Sequence, residues 1–526
     1  MIRIRQVKIN IEEEQMLPKK IAKILNININ DIKNIIINKK SLDARKKEAL
    51  FYVYEVDVEV LKEEKIILNS NTQDVFETPK EQYELPKSGS EQLKTRPIIV
   101  GTGPAGLLAA YILAENNYKP VIIERGERVE ERVKTIEKFW ETGILNADSN
   151  IQFGEGGAGT FSDGKLNTLV KDKAFRGKKV FEIFVENGAP KEIMYENKPH
   201  IGTDILRNVI INIRNKIISM GGEFYYDTKL TNIITSNNSL KSIEINNNEI
   251  IPCETLILAI GHSARDTFEM LNKKGIDMSA KPFAVGVRIE HPQEMINKNQ
   301  YGEKYYKKLP PASYKLTYTT KENRGVYSFC MCPGGYVVNA SSEEKKLVVN
   351  GMSNYKRDTK NANSAVVVTV NTKDFGNNPL DGIEFQRKLE ELAYQEGNGN
   401  IPIQIYKDFK ENKSTTSLGS IEPITKGNYS FANLNNIFPN YITNSLKEAI
   451  EYFDTKIKGY SRDDAILLGV ESRTSSPVQI KRDENGESNI KGIYPCGEGA
   501  GYAGGITTAA IDGIKTAEQI IKKYKM

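Results

Sequence analysis

The stretch Pro97-Ile-Ile-Val-Gly-Thr-Gly-Pro-Ala-Gly106 decides the fold of this 526-residue chain. An apolar run with strand character leads into glycines spaced as G-x-G-x-x-G, and residues 104–114 continue as an apolar helix. A second apolar strand ends at Glu124. This β-α-β order is typical of dinucleotide-binding domains: the first glycine permits a tight turn, the second lets a pyrophosphate approach, and the third lets helix and strand pack.

The ends of this unit predict how an adenosine diphosphate group would be held. The helix N-terminus offers free N–H groups and a partial positive charge to phosphates. Glu124 is placed to accept hydrogen bonds from ribose hydroxyls, and its charge would repel the 2′-phosphate of NADP. The predicted cofactor contacts here are Gly101, Gly103, Pro104, Ala105, Gly106, Glu124 and Arg125.

A second glycine cluster, far along the chain, predicts the other end of the same site. Residues 492–498, Gly-Ile-Tyr-Pro-Cys-Gly-Glu, predict a strand followed by the pair Gly497-Glu498. FAD proteins usually carry Gly-Asp there, with the carboxylate on a ribityl hydroxyl. Gly505 and Ile506 then open a helix whose positive N-terminus would stabilise the anionic reduced flavin. Since an NAD domain closes within one contiguous unit, this separation favours FAD.

Residues 153–166, Phe-Gly-Glu-Gly-Gly-Ala-Gly-Thr-Phe-Ser-Asp-Gly-Lys-Leu, form a third glycine-rich segment. It matches GxxxxGK, but Leu166 stands where a phosphate-binding loop needs Ser or Thr for Mg²⁺, which argues against an NTPase. The segment is either a structural glycine loop or a backbone contact for the flavin, with Lys165 near its reactive edge. The second interpretation adds the cofactor contacts Gly156, Gly157, Gly159, Thr160 and Lys165, and the apolar strand before Gly261 adds that glycine.

Composition and strand patterns divide the chain into domains of an α/β protein. Alternating strands at Ile2–Ile9 and Phe51–Val58, with a helical segment between them, predict a small α+β domain of ferredoxin-like shape. A polar segment with prolines and glycine follows as a linker. The predicted domains are residues 1–77 (N-terminal α+β domain), 78–95 (linker), 96–280 with 465–526 (a discontinuous Rossmann-like FAD-binding domain) and 281–464 (an inserted mixed-sheet α+β cap domain for the substrate).

Composition also excludes several classes of partner. A net charge of +5 is small for this length, and no strand combines aromatic with basic residues, which argues against a nucleic-acid partner. Four cysteines argue against a disulfide framework and fit a reducing cytosol. Charges throughout the first residues predict no signal peptide, and the one long apolar stretch belongs to the β-α-β unit. We expect a cytoplasmic protein without a membrane partner that acts on a small molecule.

The candidate catalytic residues are Lys165, His200, Cys330, Cys332 and Arg473. Cys330 and Cys332 would share one face of an extended strand, either as a redox pair or as small buried side chains, and are too few to hold a metal. His200 could donate a proton beside the flavin. Arg473 could clamp an anionic substrate or cofactor oxygen, or form an ion pair with Glu471 or another carboxylate.

Segments along nearly the whole chain carry a family resemblance. They are Ser41–Lys47, Gly154–Lys165, Phe329–Gly335, Gly469–Pro477 and Gly497–Ala510. On these segments the chain resembles the FAD-dependent, NAD/FAD-utilising dehydrogenases of undefined substrate within the glutathione-reductase-type group. The resemblance implies FAD as the cofactor and that FAD fold, with a ferredoxin-like N-terminal domain. It implies no particular substrate.

The leading hypothesis is an FAD-dependent oxidoreductase, a dehydrogenase or reductase that moves hydride between flavin N5 and an organic substrate. Because no second GxGxxG followed by an acidic residue occurs in the cap region, NAD(P)H could act only as a transient electron partner in the cap cleft. Two alternatives stay open. One is a flavin-dependent RNA-modifying protein with the N-terminal domain as its RNA platform; the other is a non-catalytic FAD-binding redox sensor or scaffold that meets a protein partner through that domain.

Overall fold

A four-stranded antiparallel sheet backed by two helices forms the N-terminal domain. The structure is a computed structural model that describes residues 1–70, 72–168 and 170–525. The elements of this domain are β1 (Ile2–Asn10), α1 (Leu17–Leu25), β2 (Ile32–Asp43), β3 (Phe51–Val60), α2 (Glu63–Leu68) and β4 (Val75–Glu77). The strand order β2-β3-β1-β4 is ferredoxin-like, as predicted. Alternating apolar residues such as Ile4 and Val56 form its core with Ile21 of α1.

The Rossmann-like domain begins after this domain and contains the predicted β-α-β unit. The elements of its first part are β5 (Glu91–Gln92), β6 (Ile98–Val100), α3 (Pro104–Glu115), β7 (Val121–Ile123), α4 (Val129–Thr142), α5 (Arg176–Glu186), α6 (Thr203–Ser219), β8 (Glu223–Tyr225), β9 (Leu230–Ser236), β10 (Ser239–Ile245), β11 (Glu249–Pro252), β12 (Leu256–Leu258) and α7 (Arg265–Lys273). Strands β9, β10 and β11 form a separate antiparallel sheet. Strands β6, β7, β8 and β12 belong to the main sheet.

The cap domain follows as a long insertion. Its elements, with the strand that leads into it, are β13 (Met278–Ala280), β14 (Phe283–Pro292), α8 (Gln293–Tyr301), β15 (Thr317–Thr319), β16 (Gly325–Cys332), β17 (Tyr336–Asn339), β18 (Val349–Met352), β19 (Asn361–Val370), α9 (Thr372–Phe375), α10 (Asp381–Glu396), β20 (Ile401–Ile405), α11 (Tyr406–Glu411), β21 (Thr425–Lys426), β22 (Tyr429–Phe431), α12 (Asn440–Asp454) and β23 (Ile466–Glu471). The main sheet of the cap has the order β15-β16-β19-β14-β23-β20-β22. The β20–β22 pair is parallel and the other pairs are antiparallel, so the predicted mixed sheet is confirmed.

The chain then returns to the Rossmann-like domain. The returning elements are β24 (Val478–Ile480), β25 (Ile493–Pro495), α13 (Ile506–Lys523) and β26 (Tyr524–Lys525). Strand β25 pairs with β12 and completes a parallel sheet in the order β25-β12-β6-β7-β8. The carboxyl ends of parallel strands meet at one edge. Gly101, Glu124, Gly261 and Gly497 therefore lie along this edge, close behind β6, β7, β12 and β25.

The structure moves one predicted domain boundary. Strand β23 lies between β14 and β20 in the cap sheet, although the sequence assigned residues from 465 onward to the Rossmann-like domain. Six consecutive buried residues fit either sheet equally well, so the strand pattern alone was ambiguous. The incoming strand β13 pairs with the outgoing strand β24. We therefore propose cap boundaries at residues 281 and 477.

The N-terminal domain is joined to the rest of the molecule through its edge strand β2. Lys40 donates its N–H to the Tyr195 carbonyl at 2.7 Å and accepts the Asn197 N–H at 2.9 Å. Further along the same segment, an antiparallel bridge joins His200 to Lys165. The segment after Tyr195 thus connects the N-terminal sheet with the backbone of Lys165. Among the described residues, no helix is long and apolar enough to cross a membrane.

Two glycines set the packing of helix α3. The helix is buried from Ala105 to Ala114 against the parallel sheet and α13. A Cβ on Gly106 would lie 1.9 Å from the Gly101 carbonyl oxygen, and one on Gly513 of α13 would lie 2.1 Å from the Ala105 carbonyl oxygen. Helix α3 can therefore pack against the turn after β6, and α13 can pack against α3, only with glycine at these positions.

Gly106→Ala is expected to destabilise the Rossmann-like domain. The added methyl group would overlap the Gly101 carbonyl, and such overpacking costs about 1–3 kcal/mol or more. Gly504→Ala is the matched control, because no atom lies within 4 Å of a Cβ placed there. Urea denaturation followed by circular dichroism measures both variants, and equal midpoints would contradict this packing role.

Candidate functional site

A deep cavity lies at the carboxyl edge of the parallel sheet and extends under the cap. Its volume of ≈ 340 Å³ is within the range of small-molecule sites. The turns after β6, β7, β12 and β25 line it from the sheet, and residues of β16, β18 and β23 line it from the cap. Two domains therefore share one cavity.

Most of the predicted site residues line this cavity. They are Gly101, Gly103, Pro104, Ala105, Glu124, Arg125, Gly157, Gly159, Lys165, Gly261, Cys330, Cys332, Arg473, Glu498, Gly505 and Ile506. Four predicted cofactor contacts, Gly106, Gly156, Thr160 and Gly497, do not line it. Gly156 and Gly497 instead have positive φ angles of +84° and +76°, which favour glycine, and they shape the loops behind the lining.

Two helix N-termini open on the cavity. Pro104 and Ala105 line it at the start of α3, and Ile506 lines it at the start of α13. The N-cap residues are Gly103 and Gly505, which have no side chain to accept the first N–H groups. Both helices thus offer donors and the positive end of a dipole to a ligand.

The glycine-rich loop is shaped by Arg132 of α4, which the sequence analysis missed. This side chain is fully buried. Its guanidinium donates to the carbonyl oxygens of Asn150, Ile151, Gly154, Glu155 and Gly157. Burial lowers the pKa of Arg132 to about 10, against the opposing effect of nearby glutamates. A signal was present, because Arg132 has helical spacing with the buried residues Val129 and Ile136.

Glu124 holds the same loop through its carboxylate. It accepts hydrogen bonds from the N–H and hydroxyl of Thr102 and from the N–H groups of Gly126 and Gly154, at 2.7–3.1 Å. A carboxylate has about four lone-pair sites, and these four donors occupy them. Glu124 thus ties the glycine-rich loop to the first turn of the β-α-β unit. The predicted bond to a ribose hydroxyl would have to displace one of these donors.

Lys165 lies where the glycine-rich loop meets the cap. Its Nζ donates to the Met331 carbonyl of β16 and lies 3.4 Å from the Asp163 carboxylate. Asp163 also accepts hydrogen bonds from Arg357 and Ser353. Burial opposes ionisation of Asp163, but Lys165 and Arg357 hold its pKa below the usual value. The ammonium group is therefore fixed at the cavity wall.

Cys330 and Cys332 reach the cavity, but not as the regular pair that was predicted. Strand β16 is irregular here, with φ +41° at Cys330 and a register shift against β19 between Phe329 and Cys332. Cys330 is exposed, whereas Cys332 is buried. Desolvation raises the pKa of the buried Cys332 thiol. Cys332 therefore stays protonated near neutral pH, which disfavours redox chemistry through its thiolate.

His200 is the catalytic candidate that does not line the cavity. Its Nε2 is 3.0 Å from the Tyr355 carbonyl oxygen, and its ring stacks on the Tyr355 ring at 5.1 Å. Burial, with the charge of Arg357, lowers the pKa of His200 and favours the neutral imidazole. This position does not support the predicted role of a proton donor beside the flavin.

Arg473 lines the cavity while its guanidinium is bound to a buried carboxylate. Two hydrogen bonds of 2.9 Å join it to Glu390 of α10. Glu390 also accepts two hydrogen bonds from Arg265 of α7, so one carboxylate joins the Rossmann-like domain to the cap. Although burial opposes it, the two arginines hold the pKa of Glu390 well below its usual range. The sequence offered Glu471 or another carboxylate as the partner of Arg473; the partner is Glu390, and Glu471 pairs with Arg288.

Glu498 and His262 form a pair on the cavity wall that the sequence analysis missed. They follow the neighbouring strands β25 and β12, and His262 Nδ1 is 3.0 Å from Glu498 Oε1. The His262 side chain is only 9% exposed. Its Nε2 is buried and has no hydrogen-bond partner within the described part of the chain. This bond uses one oxygen of Glu498, so Oε2 keeps lone pairs for the predicted contact with a ribityl hydroxyl.

Family models and one full-length relative match the chain. A model described as FAD-dependent protein, C-terminal domain-like matches residues 282–474, and an NAD(P)-binding Rossmann-like domain matches residues 99–151. A domain of unknown function matches residues 1–59. An uncharacterized protein of Clostridium beijerinckii is 50% identical over 532 residues, covering 100% of this chain and 99% of the relative.

Solved structures show weaker similarity. The glycerol-3-phosphate dehydrogenase of Bacillus halodurans, solved with FAD, is 11% identical with a TM-score of 0.34, covering 82% of this chain and 65% of that chain. The glycine oxidase of Bacillus cereus is 12% identical with a TM-score of 0.31, covering 81% of this chain and 95% of that chain. Similarity at this level does not identify a substrate.

Arg132→Met is expected to destabilise the protein and expose the glycine-rich loop. The substitution leaves several buried carbonyl groups without a donor, at a cost on the order of 3 kcal/mol. Arg128→Met is the matched control at the N-cap of the same helix, since Arg128 forms an exposed ion pair with Glu131 and should matter little. Thermal denaturation and limited proteolysis of residues 150–157 test this, and similar behaviour of the two variants would contradict it.

Proposed function

Since this chain belongs to the same family as the Clostridium beijerinckii protein, a family of FAD-dependent oxidoreductases with a Rossmann-like domain, we propose that it transfers hydride between FAD and a small organic substrate held under the cap. The cavity shared by the two domains carries this proposal: dinucleotide-binding turns line one side, and cap strands line the other. When bound, FAD supplies the hydride chemistry. The protein binds and orients both reactants and covers them.

The residues at the sheet edge fit FAD. Gly103 has an ordinary φ of −66°, and a Cβ there would meet nothing closer than Gly157 Cα at 3.9 Å. A Cβ at Gly261 or Gly504 would meet no atom within 4 Å. Packing within the protein therefore leaves space at these three positions, and at Gly261 the φ of +69° also favours glycine. The space that they leave beside two helix N-termini suits the backbone of a dinucleotide.

The strand order supports an orientation for FAD. With the pyrophosphate at the N-terminus of α3, the adenosine would lie toward β7 and Glu124. The flavin would then lie on the other side of β6, toward β12, β25 and the cap. Lys165, Cys330 and the N-terminus of α13 also line the cavity, and Cys330 belongs to the cap. The dipole of α13 would stabilise negative charge on the reduced flavin.

The cap would supply the substrate contacts. Phe329, Asn350 and Glu471 line the cavity from its strands. Arg288 stands behind them and donates to Asn350 at 3.2 Å and to Glu471 at 2.9 Å. Burial raises the pKa of Glu471, although Arg288 opposes the shift. We therefore propose Glu471 as the carboxyl group of the cap that exchanges a proton with a substrate.

The purified protein is expected to carry or take up FAD and to show the visible absorption of oxidised flavin. NADH and NADPH are then added separately under anaerobic conditions. Bleaching by one nucleotide would identify it as the transient electron partner proposed for the cap cleft. Absence of flavin absorption after reconstitution with FAD would contradict the proposed function.

Lys165→Met is expected to slow reduction of the bound FAD by roughly tenfold or more, the equivalent of one lost charge-assisted hydrogen bond. The ammonium group of Lys165 joins the glycine-rich loop to the cap at the cavity wall, so its loss would disturb the position of the bound reactants. Lys198→Met is the matched control, because Lys198 is exposed and bonds Ser313 at 3.3 Å. Stopped-flow bleaching with the reductant that works on the wild type measures both, and equal rates would make Lys165 a structural residue.

A further inference from the structure

The His262–Glu498 pair ends in a polar atom that the protein leaves unpaired. His262 is held from one side by the 3.0 Å bond between Nδ1 and Glu498 Oε1. The opposite ring nitrogen, Nε2, is buried without a partner among residues 1–70, 72–168 and 170–525. Buried polar atoms are nearly always hydrogen-bonded in native proteins, so this nitrogen calls for a partner.

The carboxylate determines what Nε2 can do. When Nδ1–H donates to Glu498, Nε2 is the ring nitrogen that is left for a ligand: it accepts a hydrogen bond when it carries no proton and donates one when it does. His262 can then form a hydrogen bond with a polar group in the cavity. The pair therefore resembles other carboxylate–imidazole arrangements in which the acid fixes the tautomer and orientation of the ring.

The pair lies on one side of β6, where only one half of a bound dinucleotide would reach it. His262 and Glu498 both line the cavity and follow β12 and β25. These strands lie on the opposite side of β6 from β7, after which Glu124 lies. The proposed function puts adenosine near Glu124, so the pair would lie beside the flavin half.

We propose that His262 binds the flavin half of FAD through Nε2, and that Glu498 is a positioning residue which holds the imidazole. This inference rests on the proposed function. It differs from the usual role of the acidic residue after this glycine: the carboxylate orients the histidine, and the histidine binds the cofactor. Glu498 already uses Oε1 for His262, which fits this division.

Equilibrium titration of the apoprotein with FAD and with ADP tests the proposal, because ADP lacks the flavin half. His262→Asn keeps an amide donor near the Nδ1 position but has no atom at the position of Nε2. It should weaken FAD binding by about tenfold, the value of one hydrogen bond, and leave ADP binding unchanged. His262→Gln can place a polar atom near the Nε2 position and should stay closer to the wild type.

A double-variant cycle tests the role of Glu498. Glu498→Ala should weaken FAD binding in the wild-type background and have no further effect in a His262→Ala background. If Glu498 touched FAD directly, its loss would add to that of His262. Melting temperatures of the apoproteins verify that each variant is folded.

Three outcomes would overturn the inference: unchanged FAD affinity in His262→Asn, an equal loss of FAD and ADP affinity, which would indicate a merely structural histidine, or additive losses in the double-variant cycle, which would mean that Glu498 binds FAD directly. All three are distinct from failure of the proposed function. In that case the wild-type protein would bind no FAD at all.

Discussion

The guanidinium of Arg132, buried among backbone carbonyl groups, is the interaction on which the rest of the site depends. A cation in that position can be satisfied only if the surrounding chain curls so that its carbonyl oxygens converge. Gly154 permits this with φ +113°, and the Gly156 N–H then reaches the Thr102 carbonyl of the first turn. Glu124 holds the same loop against the first turn through the four hydrogen bonds that it accepts. The cavity therefore has its glycine-rich wall because one cation and one anion organise opposite sides of a single loop.

Local features of the site could be predicted, because their causes lie within a few residues of one another. Gly101 and Gly106 act inside one turn, and the alternation of apolar residues in β1 and β3 reports directly which face is buried. Contacts between distant segments could not be predicted in this way. His262 meets Glu498 only because β12 and β25 are neighbours in the sheet. Arg473 meets Glu390 rather than Glu471 because the cap sheet commits Glu471 to Arg288.

Irregular backbone was equally hidden in the sequence. The pattern around Cys330 predicts an ordinary strand, whereas the bulge leaves the Cys330 thiol exposed and the Cys332 thiol buried.

At the junction between the domains, Glu390 pairs with two arginines, Arg265 from the Rossmann-like domain and Arg473 from the returning end of the cap. Removing either partner would leave buried charge uncompensated, so this junction favours a fixed cap over a freely moving one.

The backbone bonds of Lys40 have a further consequence. They connect the N-terminal domain to the cavity, because the segment that starts at Tyr195 pairs with β2 at one end and with Lys165 at the other. Coupling free energies are reciprocal. A ligand that favours one position of Lys165 would change the affinity of the N-terminal domain for a partner of that domain. The partner would in turn change the affinity of the cavity for the ligand by the same factor. The N-terminal domain is thus placed to change the affinity of the cavity for its ligand.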